Sequence, residues 1–317
     1  GAPLRSAAGG GALYTGAAQY IRDRYRVLPE RLAVAANAVD VARFPAITPA
    51  QRESVRAELG LTGSQPVLGY LGNLSEEKRP EWAFATVEAL EDATLLVAGD
   101  GPLRYELHQR ARSLGSRAGT PACRLLGPVS DPQRFLAAID VLLLPSATEG
   151  IPGVLVEAAL VGVPTVATDV GGVRDALATM AAGVCVPVDD FDGFVAAVRA
   201  VATDPGGYRP DRDAALEHHA IEAVAGRWGA CGVPAAPRAR RVAGAHRPGC
   251  GVRGRGRAPL GLVVEGCSGP FLPPGAGWPD PRGGDRGRDP APRPTRGTSA
   301  RPPHEIRRTR APRGSHP

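Results

Sequence analysis

Short apolar runs alternate with amphipathic stretches from about residue 32 to residue 230. The apolar runs predict strands, and the stretches between them, which carry apolar positions at helical spacing, predict helices. The predicted strands are Leu32–Ala36, Pro66–Leu71, Thr94–Ala98, Arg124–Leu126, Asp140–Pro145, Val163–Thr168 and Val184–Val188. The predicted helices are Pro80–Leu90, Leu103–Leu114, Pro132–Ala138, Pro152–Val161, Val173–Thr179 and Phe191–Thr203.

Several of these strands are apolar throughout instead of alternating, for example Asp140–Pro145 with the sequence DVLLLP. Such strands suit a parallel sheet that helices cover on both faces. Regular strand–helix alternation therefore predicts an α/β fold with a doubly wound parallel sheet. Ligands of such sheets bind at the carboxyl ends of the strands, where the loops after Ala98, Pro145 and Thr168 are expected to meet.

The composition changes sharply near residue 230. Residues 231–317 hold 17 arginines and 5 acids, and 32 of these 87 positions are Pro or Gly. This composition predicts a low-complexity, disordered basic tail, and it leaves the preceding segment acidic on balance. The tail has two aromatic residues, Phe271 and Trp278, and no recognisable nucleic-acid-binding module, so no specific nucleic-acid partner is predicted.

The five cysteines form no C-x-x-C pair, and no metal site is predicted. Cys123 and Cys185 lie in or beside apolar strands and are expected to be buried thiols, which suits a reducing compartment. No signal peptide or membrane-spanning run is visible, so the expected location is the cytoplasm. Peripheral contact with the inner face of the membrane stays open.

Residues 148–175, TEGIPGVLVEAALVGVPTVATDVGGVRD, carry the most informative chemistry. Pro152 predicts a helix start, with Glu149 on the preceding loop and Glu157 on the second turn. A helix amino terminus offers free N–H groups to phosphates, and carboxylates accept hydrogen bonds from sugar hydroxyls. The arrangement suits a nucleotide-sugar, whereas two isolated glutamates would more often be ordinary helix residues.

The ordered pattern in this segment resembles the retaining glycosyltransferases of the GT-B fold, known as group 1 or family 4. The matching positions are Glu149, Gly150, Pro152, Glu157, Gly162, Pro164, Thr168, Gly171 and Gly172, with Asp175 where Glu is more usual. The resemblance runs from about residue 13 to residue 230. It implies a Rossmann-like donor domain and metal-independent transfer of a hexose, with retention of configuration, from a nucleoside diphosphate sugar to an acceptor hydroxyl. The acceptor would be a sugar, a lipid-linked molecule or a small molecule.

The resemblance also implies roles for individual residues. Glu149 and Lys78 would be catalytic, Glu149 by orienting the sugar and Lys78, the single lysine of the chain, by neutralising the leaving diphosphate. Asn73 stands where the family usually has an arginine on the same diphosphate. The implied substrate-binding residues are Gly72, Asn73, Gly99, Gly101, Val129, Gly150, Ile151, Pro152, Gly153 and Glu157, with Val129 near the base and Glu157 on the ribose. For Gly99 and Gly101 a plain strand-to-helix turn is an equal alternative.

Other polar residues favour structural roles. His218 and His219 are expected to be surface residues on the closing helix of the family, which the segment AIEAVAGRWGACG resembles. Asp189, Asp190 and Asp192 are expected to cap a helix start. Ala38 replaces a glycine of the family's connecting segment, which is unexpected if that turn requires positive φ.

Three segments are predicted: residues 1–40, a remnant of an acceptor domain; 41–230, the donor domain; and 231–317, the tail. The remnant suggests truncation at the amino terminus, and the tail composition suggests a frameshift. Two alternatives to an active transferase stay open: a catalytically inactive nucleotide-sugar-binding fragment and, less favoured, nucleic-acid binding through the tail.

Overall fold

A computed structural model describes residues 10–61, 63–117 and 120–230. Its centre is a six-stranded parallel sheet with the order β10-β9-β8-β3-β4-β7. The strands of this sheet are β3 (Val67–Leu71), β4 (Thr94–Ala98), β7 (Cys123–Gly127), β8 (Val141–Leu144), β9 (Thr165–Thr168) and β10 (Gly183–Val186). The predicted α/β fold with a doubly wound parallel sheet is confirmed.

Ten α-helices accompany the strands in the described residues. They are α1 (Thr15–Tyr25), α2 (Pro49–Glu58), α3 (Pro80–Ala89), α4 (Arg104–Ser113), α5 (Pro132–Ala138), α6 (Gly153–Val161), α7 (Val173–Thr179), α8 (Phe191–Thr203), α9 (Arg212–His219) and α10 (Ile221–Ala230). Successive strand residues point to opposite faces, so Leu142 and Leu144 pack in one core with α5 and α6. Val141 and Leu143 pack in the other core with α3 and α8.

Two small sheets lie outside the main one. Strands β1 (Gly10–Ala12) and β2 (Leu32–Val34) form a two-stranded parallel sheet, and β5 (Ser116–Arg117) pairs antiparallel with β6 (Thr120–Pro121). The predicted strand Leu32–Ala36 therefore exists in shortened form, apart from the main sheet. The Trp228 ring of α10 lies directly against Gly11 of β1, where a side chain would overlap it.

The connectivity reverses at the pair β3 and β8. From β3 the chain moves to β4 and β7 on one side; it then returns to β8 on the other side and continues to β9 and β10. At such a reversal two neighbouring strands send their loops to opposite faces, which opens a crevice at the carboxyl end of the sheet. The loops after β3 and β8 flank this crevice.

At the opposite, amino end of the same two strands, Asp140 is enclosed by polar partners. Its carboxylate pairs with Arg52 and Arg56 of α2, at 2.5 Å each, and accepts a hydrogen bond of 2.8 Å from the Val67 amide. Both arginines also donate to main-chain carbonyls at the end of α5, including that of Ala138. Helix α2 is thereby fixed to the amino edge of the sheet.

The predicted elements agree with the structure in kind, but the structure contains further elements. Helices α1, α2 and α9 and strands β1, β5 and β6 were not predicted. Helix α6 begins at Gly153, so that Pro152 is its N-cap rather than its first residue. Ala38 is absent from the described residues with positive φ, so the turn that it occupies does not require glycine. Residues 231–317 lie outside the described residues, and the three-segment division stays a prediction.

The surface assignment of the two adjacent histidines is wrong for His219. Both residues end α9 rather than lying on the closing helix α10; His218 is exposed, whereas His219 is 3% exposed. The His219 ring contacts the Asn37 carbonyl at 3.1 Å, and burial lowers the pKa of the ring. The Val39 amide donates to the His219 carbonyl, so α9 anchors the connecting segment after β2.

The two described cysteines differ in burial. Cys123 is buried as expected, whereas Cys185 is only half-buried. Desolvation raises the pKa of the Cys185 thiol to about 11, and Asp169 contributes to the rise. Asp131 and Asp190 cap α5 and α8, each accepting a hydrogen bond from the main-chain amide three residues later, and the cap at Asp190 was predicted.

Candidate functional site

The loop after β4 approaches the loop after β3 so closely that two of its glycines have no room for a side chain. Gly99 and Gly101 have φ of +139° and +157°, and a Cβ on either would overlap the loop, at Gly72 and at Asn73–Leu74 respectively. The Gly72 amide donates to the Ala98 carbonyl at 3.0 Å. These two glycines are therefore required by the close approach of two loops.

Tyr70 supports the same loop from below. Its hydroxyl donates to the Asn73 carbonyl at 2.7 Å, and its ring is buried. Burial, followed by the nearby Glu149 and Glu81 carboxylates, raises the pKa of the Tyr70 hydroxyl. The phenol consequently stays protonated and acts as a donor that fixes the backbone at Asn73. Nothing in the sequence marks Tyr70 except its place at the end of an apolar strand.

A short 3₁₀ turn, Glu76–Lys78, carries the lysine to the loop after β8. The Ala147 amide donates to the Glu77 carbonyl at 2.8 Å, and the Thr148 hydroxyl donates to the Glu77 carboxylate. Arg79, which follows the turn with φ of +48°, donates to the Val188 carbonyl at 2.6 Å. The two loops that flank the crevice are thus joined to each other.

Lys78 and Glu149 meet in this crevice. The Lys78 Nζ lies 2.9 Å from Glu149 Oε1, and the two side chains are 22% and 10% exposed. The Ser146 hydroxyl donates to the same Oε1 at 2.7 Å. A carboxylate and an ammonium group at the switch point of the sheet can serve sugar hydroxyls and phosphate respectively.

Gly171 and Gly172, the glycine pair after β9, hold the main chain of the loop after β8, which carries Glu149. Gly171 has φ of +58°, and a Cβ there would overlap the Glu149 carbonyl. The Gly172 amide donates to the Gly150 carbonyl at 2.8 Å. The spacing between Glu149 and the Gly171–Gly172 pair is therefore set by direct contact of the two loops.

Glu157 lies one and a half turns into α6, on its Gly153 side. Its Oε1 is the nearest atom to the position of a Cβ on Gly153, at 3.9 Å. Burial raises the pKa of the Glu157 carboxyl, and the charge of Arg43 partly opposes the rise. A half-buried carboxylate on the helix that follows the Glu149 loop can accept hydrogen bonds from hydroxyl groups.

Residues that precede the main sheet in the chain also contact the loop that carries Glu149. The sequence did not indicate these contacts. The Asn37 amide donates to the Ile151 carbonyl at 2.8 Å. Leu13 lies against Gly150, and the Tyr14 side chain lies against Gly172. The loops that carry the glycines are therefore covered on one side by residues 13–14 and 37.

The structure brings most of the predicted site residues together. Lys78, Glu149, Gly150, Ile151 and Pro152 lie on the joined loops, and Gly72 and Asn73 lie against Gly99 and Gly101. Val129 is half-buried against the core on the loop after β7. Its expected contact with a base stays a prediction, as do the ligand contacts of all these residues.

Comparison with known proteins identifies the domain that carries the site. Residues 65–204 match the model of the family described as glycosyl transferases group 1. These residues form a group 1 glycosyl transferase domain. The match starts just before β3 and ends after α8, so the group 1 domain includes every strand of the main sheet and both loops at the crevice.

Curated relatives of the group 1 domain include bacterial glycosyltransferases. The chain is 32% identical over 177 residues to the 2-deoxystreptamine glucosyltransferase of Streptomyces kanamyceticus, covering 54% of this chain and 45% of the relative. It is 32% identical over 202 residues to the D-inositol 3-phosphate glycosyltransferase of Geodermatophilus obscurus, covering 58% and 43%. The chain thus spans less than half the length of these two relatives.

Solved structures agree with the fold. HepE of Anabaena, in complex with UDP and glucose, superposes with a TM-score of 0.62 at 20% identity, covering 73% of this chain and 64% of HepE. The group 1 domain therefore shares the Rossmann-like fold of this GT-B structure, as expected.

No helix among residues 10–61, 63–117 and 120–230 is long and apolar enough to cross a membrane. Within the same ranges, no three His, Cys, Asp or Glu side chains group together as metal ligands would.

Proposed function

We propose that this chain acts in glycosyl transfer, taking a hexose from a nucleoside diphosphate sugar to an acceptor hydroxyl with retention of configuration. The observation that carries the proposal is the meeting of Lys78 and Glu149 at the switch point of the group 1 domain. The acceptor is a sugar, a lipid-linked molecule or a small molecule. The group 1 relatives support the class of reaction, since their names describe transfer of sugars.

In this proposal Lys78 neutralises the diphosphate as it leaves. The free amides at the start of α6, near Gly150 to Gly153, add partial positive charge on the same side. Asn73 contributes a neutral side chain beside Gly101, where an arginine would have added a second cation. Most of the charge stabilisation in the transition state therefore depends on Lys78.

Glu149 orients the sugar through hydrogen bonds to its hydroxyls, and Glu157 binds the ribose. Glu149 is not assigned the role of general base, because in this proposal the acceptor proton goes to the leaving group. The leaving phosphate takes the proton of the acceptor hydroxyl as the new glycosidic bond forms. The sugar then keeps its configuration, since the acceptor approaches from the side that the phosphate leaves.

A second candidate is a nucleotide-sugar-binding chain without transferase activity. Asn73 favours it, because the site then lacks one of the two cations that resemblance to the family leads one to expect. Both candidates place the donor in the same crevice and differ only in turnover.

Calorimetry with UDP, GDP, ADP and dTDP tests the shared part of the two candidates. We expect one of these nucleotides to bind the full chain. The radiolabelled nucleotide-sugar with the same base should then release its sugar to water or to an acceptor. Binding with no release would select the second candidate. Absence of binding by all four nucleotides would contradict both.

A further inference from the structure

We propose that Ser146 is a positioning residue for Glu149, holding the carboxylate in place when Lys78 turns to the diphosphate. This inference rests on the proposed function, in which Glu149 binds the sugar and Lys78 binds the diphosphate. It assigns to Ser146 a task in sugar recognition that a buried serine with a purely structural role would not have.

Ser146 is buried and makes hydrogen bonds through both its hydroxyl and its carbonyl. Its side chain is buried, with the residue 2% exposed, and its hydroxyl donates to Glu149 Oε1 at 2.7 Å. Its carbonyl accepts a hydrogen bond of 2.5 Å from the hydroxyl of Thr168, which is fully buried and also contacts the Leu144 carbonyl at 3.3 Å. A continuous set of hydrogen bonds therefore runs from the end of β9 through Ser146 to Glu149.

The two donors on Glu149 Oε1 differ in how firmly they are held. Lys78 has a long flexible stem, and its ammonium group is the natural partner of a diphosphate. A diphosphate in the crevice competes with Glu149 for that ammonium group. Ser146 has a single rotatable side-chain bond in a buried setting, so it loses little entropy by keeping its hydrogen bond. Glu149 then stays in place while its second oxygen, Oε2, remains for a sugar hydroxyl.

A buried hydroxyl with only a structural role has a different partner in this chain. Thr86 of α3 is fully buried, and its hydroxyl donates to the Trp82 carbonyl of its own helix at 2.7 Å. Ser146 instead donates to a carboxylate at the switch point. Hydrogen bonds to charged groups are stronger than those between neutral groups, so loss of the Ser146 hydroxyl should affect Glu149 directly.

Crystal structures of Lys78→Met and of the double variant Lys78→Met/Ser146→Ala test the hold on Glu149 without any ligand. We expect Glu149 Oε1 to remain about 2.7 Å from the Ser146 hydroxyl in Lys78→Met, and the carboxylate to rotate away in the double variant. Rotation of Glu149 in Lys78→Met, with Ser146 intact, would overturn the inference. An unmoved Glu149 in the double variant would overturn it as well.

Calorimetry with UDP and UDP-glucose tests the consequence for sugar binding. We expect Ser146→Ala to weaken UDP-glucose binding about tenfold and to leave the UDP Kd nearly unchanged. The ratio of the UDP Kd to the UDP-glucose Kd therefore falls by the same factor. Ser146→Cys, which keeps a weak donor, should fall between Ser146→Ala and the parent chain. The control Thr86→Val removes a buried hydroxyl elsewhere and should leave the ratio unchanged.

The outcomes separate the two levels of the argument. If Ser146→Ala keeps the parent ratio, or loses UDP and UDP-glucose affinity equally, the positioning role is wrong. If the parent chain binds no nucleoside diphosphate, the proposed function fails, and the two crystal structures still decide whether Ser146 holds Glu149.

Discussion

Strands β3 and β8 carry a charged cluster at each end, and the two clusters are built differently. At the amino end, both oxygens of Asp140 are used by Arg52, Arg56 and the Val67 amide. At the carboxyl end, the two donors to Glu149 share one oxygen, and one of them is a flexible lysine. The first carboxylate has its hydrogen-bonding capacity filled by the protein, while the second keeps capacity for a ligand.

The number of hydrogen-bonding partners of each carboxylate therefore distinguishes the structural cluster from the functional one. In a half-buried cluster built around one completely paired carboxylate, removing that carboxylate leaves both cations without their charged partner. A carboxylate with an oxygen to spare loses less when one partner leaves. The same pair of strands therefore predicts opposite consequences for substitutions at its two ends.

The largest expected effect is at the amino end. Asp140→Ala leaves two half-buried arginines without their carboxylate, so we expect the free energy of unfolding to fall by about 3 kcal/mol. Urea denaturation followed by circular dichroism measures this change. The matched control is Asp189→Ala, which removes an exposed partner of Arg79 and should change the free energy by less than about 0.5 kcal/mol. Equal losses in the two variants would remove the distinction between the clusters.

The second prediction compares one cation from each end. Lys78→Met should weaken nucleoside diphosphate binding at least about tenfold, because a charge-assisted contact to phosphate is lost. Arg52→Met should leave that binding unchanged while lowering the free energy of unfolding by about 1 kcal/mol. Calorimetry and urea denaturation of both variants measure the two quantities. A loss of nucleotide affinity in Arg52→Met as large as in Lys78→Met would show that the ends are not independent.

The smallest predicted effect concerns Glu157. Because the folded protein raises the pKa of this carboxyl, it binds protons more tightly than the unfolded chain, and stability falls as pH rises through the folded pKa. Glu157→Gln removes this dependence, so it should be more stable than the parent at pH 7 while binding UDP about fivefold more weakly. Denaturation at pH 4 and pH 7, with calorimetry, checks both. A variant less stable than the parent at pH 7 would contradict this account.

Local pattern was sufficient to predict most of the sheet. Runs such as those of β4 and β8 are continuously apolar and end at Gly or Pro, so their kind and approximate bounds follow from the sequence. Helix α2 was missed because its sequence, PAQRESVRAE, shows no buried residue and little apolar spacing. Its available signal was the capping box of Thr48 and Gln51, which the structure contains.

The sequence predicted which loops lie at the site, but it did not predict the side-chain contacts there. The order of Glu149, Glu157 and the Gly171–Gly172 pair indicated loops at the strand ends, as the fold confirms. The bond of Ser146 to Glu149 depends on side-chain rotamers, which spacing does not give. His219 was misassigned because its partner, Asn37, lies 182 residues away in sequence.

The strand order has a consequence for how the chain acquires its crevice. A growing chain can pair β3 with β4, and β4 with β7, as soon as residues up to 127 are available, whereas β8 starts at Val141 and must pair with the free side of β3. Long-range parallel pairings of this kind form slowly, since a long loop must close before any contact stabilises it. We therefore expect strands β3, β4 and β7, with Lys78 on the loop after β3, to assemble before Glu149 has been synthesised. The crevice should then be among the last parts of the domain to form.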